Sequence, residues 1–420
     1  MKNKRVLAAL AGAATTVLLA SGCGGGDGGD SGPGPVELTV WTGFTGGDRP
    51  GYEQIVTDWN AAHPDIKVTM TVQPWDTIQQ KLPSAWLTGQ GPDIAAPSSD
   101  PNAIAQYVKT KSVLPLTATG TGDDKINIDQ FAPALVKEFT YDGKLYAVPA
   151  NYATLSLYYN KKLFAAAGIA KPPATVAELQ QDAAKLTGGG KYGLVLADNN
   201  TIQMWPLLQW LSGGDIVDAG NCSVVQTPAG VASLQPWVDL VKNTKISPVG
   251  LTGAAADSLF SAGKAAMELN GPWAAPGYKS AGIDLGIAPV PTGSTGRPVT
   301  LGSTAPLAVS AKTKHRDQAQ QFVAYWTSKT AQLKFSRTTG FPPLRTDLAD
   351  NADLKADPVV SVFAGQVPDA KLYLPQVPEA TKVDSDAYIP LIQKATRDGD
   401  VAGAANAAAK TINQLTGCTR

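Results

Sequence analysis

An interrupted β-strand in the middle of the chain constrains the fold most. Two short runs of strand-forming residues, 145–148 and 154–159, follow an Asp-Gly pair. Asp-Gly bends the backbone at little cost, so it predicts a turn before the first run. Pro149 lies between the runs and has no backbone N–H, so the hydrogen-bonded ladder is broken there. We therefore predict a segment that leaves one sheet and enters another. Asn151 and Tyr152, at the break, would lie at the mouth of a cleft between two lobes.

The alternation of strands and helices before this segment predicts an α/β fold. Strand-forming residues alternate over 36–41 and again over 66–72, and a third strand begins at Ile94. A helix lies in each interval, and the first is predicted to begin with Asp48 as its cap and Pro50 in its first turn. This β-α-β-α-β run is typical of a doubly wound sheet whose loops meet at one edge.

The amino terminus has the features of an exported lipoprotein. Three basic residues precede an apolar run that is too short, and too rich in Ala, Gly and Thr, for a membrane span. Residues 19–23 resemble a bacterial lipobox, whose cysteine, here Cys23, becomes the lipidated first residue of the mature protein. A plain signal peptide with an incidental cysteine is the alternative. The following Gly-, Asp-, Ser- and Pro-rich residues cannot form a core and predict a flexible tether.

Chain length indicates two domains, because 420 residues exceed one compact core of typical size. Residues 300–310 are predicted to form one strand, long enough to cross back between the lobes. The predicted organisation is a signal peptide (1–22), a lipidated cysteine with its tether (23–35), an N-terminal lobe (36–148 plus 303–339) and a C-terminal lobe (149–302 plus 340–420).

The charge balance gives no reason to expect nucleic acid as a partner. The chain has 35 basic and 35 acidic residues, and removal of the first 22 takes away three bases and leaves 32 against 35. A polyanion would need a basic surface, which a net charge of −3 does not indicate. With only two histidines, His63 and His315, a His-rich metal site or a His-based triad is not indicated.

The two cysteines beyond the lipobox form an even pair in an exported chain. A disulfide between Cys222 and Cys418 would attach the C-terminal tail to the middle of the chain. Two buried free thiols are the alternative.

Several motifs resemble the family 1 extracellular solute-binding proteins, which include the maltose-binding proteins of ABC importers. The residues are Pro149-Ala150-Asn151 with Ser156 to Asn160 and Phe164, the Gly-Pro-Asp element at 91–93, and Asn270-Gly271-Pro272-Trp273. The resemblance covers about Val36 to Leu415. It implies a two-lobed, type II periplasmic-binding-protein-like fold in which each lobe is a sheet flanked by helices, joined by hinge crossings. It also implies capture of a solute by hinge closure and delivery to the permease of an ABC transporter, by a lipid-anchored monomer without a cofactor.

Tryptophans at element ends indicate that the solute is a sugar. A flat indole covers the apolar face of a pyranose at low rotamer cost, while polar groups take its hydroxyls. Trp41 ends the first strand before a glycine loop, and Trp273 follows a Gly-Pro turn, so both positions favour a cleft. Trp75 and Trp205 are open between cleft and core, and we include them in the candidate site. Four tryptophans inside amphipathic helices are predicted to lie in the core: Trp59, Trp86, Trp237 and Trp326.

The resemblance adds contacts at matching element ends. These positions are Phe44, Ser98, Ser99, Asp100, Asn151, Tyr152, Gly302, Ser303, Thr304 and Phe341. The alternative for the glycine and serine positions is turn geometry alone.

Catalytic signatures are absent from the sequence or poor. It contains no phosphate-binding Gly-rich loop with Gly-Lys-Ser/Thr, no His-Glu-x-x-His and no Gly-x-Ser-x-Gly. We therefore predict a binding protein that performs no reaction, with no metal. Three alternatives stay open. The first is the same fold with another solute, such as a polyamine, amino acid or phosphate ester. The second is an exported carbohydrate-active enzyme, whose paired carboxylates need not be neighbours in sequence, and the third is a scaffold or adhesin that binds no small molecule.

Overall fold

The computed structural model describes residues 34–122, 124–199, 204–375, 377 and 379–419. The predicted signal peptide, Cys23 and nearly all of the predicted tether lie outside the described residues. Residues from Pro35 to Arg420 form one compact unit that contains all the sheets described below. Within the described part of the chain, no helix is both long and apolar enough to span a membrane.

The first five elements follow the predicted β-α-β-α-β order. The strands are β1 (Val36–Thr42), β2 (Ile66–Val72), β3 (Ile94–Ala95), β4 (Thr140–Tyr141), β5 (Lys144–Leu145), β6 (Ala147–Pro149), β7 (Ala153–Thr154), β8 (Ser156–Asn160), β9 (Tyr192–Val195), β10 (Ala265–Asn270), β11 (Leu285–Ala288), β12 (Thr300–Ser303), β13 (Pro306–Val309) and β14 (Ala370–Leu372). The helices are α1 (Arg49–Ala62), α2 (Trp75–Thr88), α3 (Ala103–Lys109), α4 (Pro133–Glu138), α5 (Lys161–Ala166), α6 (Val176–Lys185), α7 (Met204–Leu211), α8 (Pro228–Asp239), α9 (Gly253–Ser261), α10 (Ala275–Ser280), α11 (Arg316–Trp326), α12 (Lys329–Thr339), α13 (Ala352–Ala356), α14 (Pro358–Gly365), α15 (Ala380–Val383), α16 (Ile389–Asp398) and α17 (Val401–Thr416).

Two sheets carry the two main cores. The first has the order β2-β1-β3-β13-β6, with β1 parallel to β2 and β3, and β13 antiparallel to its neighbours. The second has the order β11-β8-β10-β9. Each sheet is covered by its own cluster of buried apolar side chains, which includes Trp59 and Trp326 on the first and Trp237 on the second. We call each sheet with its helices a lobe, the first and the second.

The interrupted strand passes from one sheet to the other. β6 lies in the first sheet, β7 in a small sheet of order β14-β12-β7, and β8 in the second sheet. The chain therefore leaves the first sheet after Pro149, as the missing N–H of this residue predicts. The return crossing is also interrupted: β12 pairs with β7, and β13 pairs with β6 in the first sheet. The expectation of one strand over 300–310 was wrong, because Pro306 cannot donate to a ladder and the chain changes sheets before it.

Two helix caps differ in how their side chains bond. α6 begins with a capping box, in which the Thr175 side chain accepts a hydrogen bond from the Glu178 backbone N–H and the Glu178 side chain accepts one from the Thr175 backbone N–H. Asp48 is the cap residue of α1, but its side chain makes no capping hydrogen bond. Its carboxyl instead bonds the Tyr52 hydroxyl one turn later. A residue predicted to cap a helix with its side chain therefore lies in the interior.

A disulfide closes the C-terminal end of the chain. Cys222 and Cys418 are bonded, with Cα atoms 5.2 Å apart across a sequence separation of 196 residues. Beside it, Asn413 accepts a hydrogen bond from the Ser223 backbone at 2.7 Å. The end of α17 is thus attached to the loop before α8.

Candidate ligand-binding cleft

A cavity of about 440 Å³ lies between the two main sheets; we call it the inner chamber. The first lobe contributes the loop after β1, including Phe44 and Asp48, and the second contributes Asp257, Glu268 and Trp273. A second cavity of about 460 Å³, the outer chamber, shares Thr45, Trp75, Ser99 and Ser303 with it. The two chambers are therefore parts of one continuous cleft.

Trp75 forms the wall that both chambers share. Its indole lies against Gly43, where an added Cβ would be only 2.0 Å from the ring, and it meets Phe44 edge-on at a centroid distance of 5.4 Å. Phe44 in turn stacks on Tyr52 at 3.7 Å. Gly43 is thus required for the close approach of the loop, and the aromatic stack behind Trp75 limits its rotamers.

Trp273 forms the facing wall. An added Cβ at Gly271 would lie 2.1 Å from the Trp273 ring, so the indole lies flat on this glycine. Trp273 packs against the apolar cores of both lobes, and its ring centroid is 6.4 Å from that of Phe341. The sequence Asn-Gly-Pro-Trp produces this arrangement, because a β-carbon before the proline would displace the ring.

Asn151 connects the crossing segment to the aromatic stack. Its side-chain amide donates to the Tyr52 hydroxyl at 2.6 Å, and its side-chain oxygen accepts from the backbone N–H of Ala305 at 3.2 Å. Both polar ends of Asn151 are therefore already bonded, which fixes its orientation at the cavity wall.

Three carboxyl groups line the inner chamber. Burial raises the pKa of Asp48 to about 6, against the opposing effect of its hydrogen bonds. Glu268 is fully buried in β10, and burial, followed by the charge of Asp257, raises the pKa of its carboxyl well above the usual range. Tyr278 lies 2.6 Å from Glu268, and Asn270 donates to Asp257 at 2.7 Å. A hydrogen bond also links Asp257 and Glu268, and burial is the largest cause of the raised pKa of both carboxyls.

Two acidic residues with raised pKa values line the outer chamber. Burial raises the pKa of Asp100 to about 6 and that of Asp384 to about 8, and the Asp100 charge adds to the shift at Asp384. The Tyr373 hydroxyl bonds Asp384. No Lys or Arg is among the described residues that line either chamber.

The structure brings most of the predicted site residues to this cleft. Those that line one or both chambers are Phe44, Trp75, Ser98, Ser99, Asp100, Asn151, Trp273, Gly302, Ser303 and Phe341. Asp257, Glu268 and Asn270 were missed by sequence reasoning. The available signal was a glutamate inside an otherwise apolar, fully buried strand, AAMELN.

Two tryptophans predicted for the site lie elsewhere. Trp41 is half-buried and packs against the satellite core that contains Ile78 and Leu82. Trp205 is 1% exposed, and its indole N–H donates to the Ala197 carbonyl at 3.0 Å. Every residue of α7 is buried. The aromatic composition of this helix therefore does not show whether a tryptophan lines the cleft or belongs to the core.

Tyr152 and Thr304 also lie behind the wall rather than on it. Tyr152 is buried in the first core, and its hydroxyl lies 3.2 Å from the position of an added Cβ at Gly302. Thr304 is fully buried and donates to the Asn151 carbonyl at 2.5 Å. Thr304 thus joins the two crossing segments, and Tyr152 supports the glycine beside them.

Within the described part of the chain, no group of three or more His, Cys, Asp or Glu is arranged to hold a metal ion.

Comparison with known proteins places the chain in a family. A sequence model of bacterial extracellular solute-binding proteins matches residues 54–361. This chain belongs to that family. Its members are binding proteins rather than enzymes, and the family name implies an exported protein.

Similar proteins cover most of the chain. It is 26% identical over 343 residues to an arabinooligosaccharide-binding protein of Bacillus subtilis, spanning 77% of this chain and 76% of the relative. The GacH receptor of Streptomyces glaucescens, studied unliganded and with acarbose, has a TM-score of 0.82 at 27% identity, covering 92% of this chain and all of the receptor. The MalE domain of Bdellovibrio bacteriovorus, bound to maltotriose, has a TM-score of 0.78 at 25% identity, covering 90% and 99%. The fold is thus the predicted two-lobed, type II arrangement of the maltose-binding proteins.

Proposed function

We propose that this solute-binding protein captures a saccharide in the cleft between its two lobes and delivers it to an ABC transporter for import. The supporting observation is the pair of indoles, Trp75 and Trp273, on walls contributed by opposite lobes. Two flat apolar faces with polar groups around them match a pyranose ring, which has apolar faces and a rim of hydroxyls. The similar proteins named with oligosaccharides support the same class of ligand.

Hinge closure is the proposed mechanism. A ligand that touches Trp75 and Asp48 from the first lobe and Trp273 from the second makes all its contacts only when the lobes are together. Its binding then shifts the population toward the closed form. The proposed limits of the lobes are those predicted from the sequence.

Anionic solutes fit the cleft poorly. A phosphate or carboxylate ligand calls for convergent Arg or Lys side chains, and the described lining has three carboxyls in each chamber and no base. The phosphate-ester alternative is therefore disfavoured by charge alone.

A glycosidase is disfavoured by the geometry of the acidic pair. Catalytic carboxyls stand about 5–5.5 Å apart in retaining enzymes and about 6.5–9.5 Å apart in inverting ones. Asp257 and Glu268 are in direct hydrogen-bond contact and share Tyr278 and Asn270 as partners. They leave no room for a glycosidic bond between them.

The proposal also includes a location for the protein and its partners. Lipidation of Cys23 would hold the protein at the outer face of the cytoplasmic membrane, with residues 24–35 as a tether to the globule. We propose that it acts there as a monomer whose partners are the permease subunits and the sugar.

The test is a screen of mono- and oligosaccharides by calorimetry and tryptophan fluorescence, with the sugar recovered afterwards. We expect saturable binding of at least one saccharide and its intact recovery. Trp273→Ala should weaken that binding by about tenfold or more, since a stacked aromatic face is lost. Leu87→Ala, at an exposed apolar side chain, is the control. Absence of binding across the panel, or cleavage of the sugar, would refute the proposal.

A further inference from the structure

Acidic side chains are the only charged groups in the described lining of this cleft. The inner chamber is lined by Asp48, Asp257 and Glu268, and the outer chamber by Asp76, Asp100 and Asp384. The described lining of both chambers has no Lys, Arg or His, and the undescribed residues 200–203, 376 and 378 include none. The chain as a whole has equal numbers of acids and bases, so this local excess is not a consequence of composition.

The excess costs free energy in the empty protein. Removing a carboxylate from water without a cation beside it disfavours its charged form. The raised pKa values of Asp48, Asp100, Asp384 and Glu268 have burial as their largest cause. A hydrophobic or neutral polar lining would avoid this cost. A bound cation would offset it, because it stabilises the charged form of the carboxylates.

The Asp257–Glu268 pair provides the most organised acceptor. Asn270 and Tyr278 each bond both carboxyls, which fixes the pair at the end of β10 on the second lobe. Asp48 faces the same chamber from the first lobe. An ammonium group has three N–H donors, and bonds from a charged donor to a carboxylate are stronger than those from a neutral hydroxyl.

We propose that the cleft selects saccharides that carry a protonated amine, with Asp257 and Glu268 holding the ammonium group and Asp48 approaching it from the opposite lobe on closure. This rests on the proposed function, since the amine is a substituent of the captured sugar. The indoles bind the ring faces, and the acidic pair distinguishes an amino sugar from its hydroxyl counterpart.

Matched ligands separate this inference from the proposed function. Cellotriose, the β-1,4 trimer of glucosamine and its N-acetylated form differ only in the substituent at C2 of each ring, and the β-1,4 trimer of glucuronic acid differs from cellotriose only at C6. Glucose with glucosamine, and galactose with galactosamine, repeat the comparison without a linkage. Calorimetry at neutral pH should show an amine tighter than its hydroxyl counterpart by about tenfold or more, and no detectable binding of the acid.

The variant Asp257→Asn keeps the shape of the side chain and removes its charge. It should bring the affinity ratio of amine to hydroxyl ligand close to one, as measured on a variant whose thermal unfolding shows a folded protein. Asp239→Asn, at an exposed carboxylate on α8, is the matched control and should keep the wild-type ratio.

Each outcome has a distinct meaning. Neutral saccharides that bind as tightly as their amines, or a ratio that survives Asp257→Asn, would overturn the inference and leave the proposed function standing. Failure of every saccharide to bind would overturn both.

Discussion

Glycines hold the two cleft tryptophans in place. Trp75 lies on Gly43 and Trp273 on Gly271, each at a distance that any β-carbon would violate. A rigid indole loses little conformational entropy on binding, so this contact prepares the wall before the ligand arrives. We therefore expect Gly43 and Gly271 to raise ligand affinity by holding the indoles in place.

Gly271→Ala tests this role. The new methyl would lie 2.1 Å from the Trp273 ring, so the indole must move. We expect saccharide affinity to fall by about tenfold, close to the effect of removing the indole, with the protein still folded. Gly365→Ala is the control, because its added Cβ meets nothing within 4 Å. Equal affinities of the Gly271 variant and wild type in calorimetry would contradict the role of the glycine.

Asp384 makes stability depend on pH. Its pKa is about 8 in the folded protein, against about 3.9 for an unperturbed aspartate. Folding favours the neutral carboxyl. The contribution of Asp384 to the free energy of unfolding is therefore fully present below pH 4 and is lost as pH rises toward 8.

We therefore expect Asp384→Asn to be more stable than wild type at pH 8, and the advantage to shrink toward pH 4. Because the side chain is partly exposed, the expected difference at pH 8 is on the order of 1 kcal/mol. Urea unfolding at the two pH values measures it. An advantage that is independent of pH would show that Asp384 does not titrate as inferred.

Among the elements, the two crossings between the lobes are bonded to each other. The Ala150 N–H donates to the Ala305 carbonyl at 2.8 Å, and Thr304 donates to the Asn151 carbonyl. Leu155 and Thr300 are bonded further along the same pair of segments. The hinge is thus a two-stranded connection rather than two independent linkers.

Thr304→Val removes one of these bonds and keeps the side-chain volume. Leaving the buried Asn151 carbonyl without this donor should cost about 1–2 kcal/mol of unfolding free energy. Hydrogen exchange should also accelerate around residues 150–155. Thr57→Val, at an exposed helical threonine, should show neither change. If exchange in the crossing were unaltered, the bond would not contribute to the hinge.

The disulfide between Cys222 and Cys418 closes a long loop. Because it limits the unfolded chain over 196 residues, its loss should cost about 2–5 kcal/mol. The double variant Cys222→Ser/Cys418→Ser should therefore unfold at lower urea concentration. Dithiothreitol should destabilise the wild type and leave the double variant unchanged; equal sensitivity of both would show that the bond does not form.

At the scale of the whole molecule, local chemistry made the fold predictable. The proline break, the Gly-Pro-Asp turn and the alternating strands depend on near neighbours, and the sheets follow them. The placement of loop-end residues at the cleft, such as Phe44 and Ser99, was predictable for the same reason. Trp41 and Trp205 were not, because the orientation of an indole depends on which face of its element meets the core.

The pairing of the two acidic residues in the inner chamber could not be predicted from the sequence. Asp257 and Glu268 lie on different elements, and only the packing of α9 on β10 brings their carboxyls together. The glutamate within the short strand AAMELN was a signal for Glu268 alone, not for its partner. Its importance comes from complete burial beside a second carboxyl, which is a property of the tertiary structure.

A crystal structure with the tightest-binding saccharide tests the central claim most directly. The account predicts an intact sugar between the indoles of Trp75 and Trp273, in contact with both lobes. A sugar bound in the hollow beside Trp59 and His63, or a cleaved product in the cleft, would contradict it.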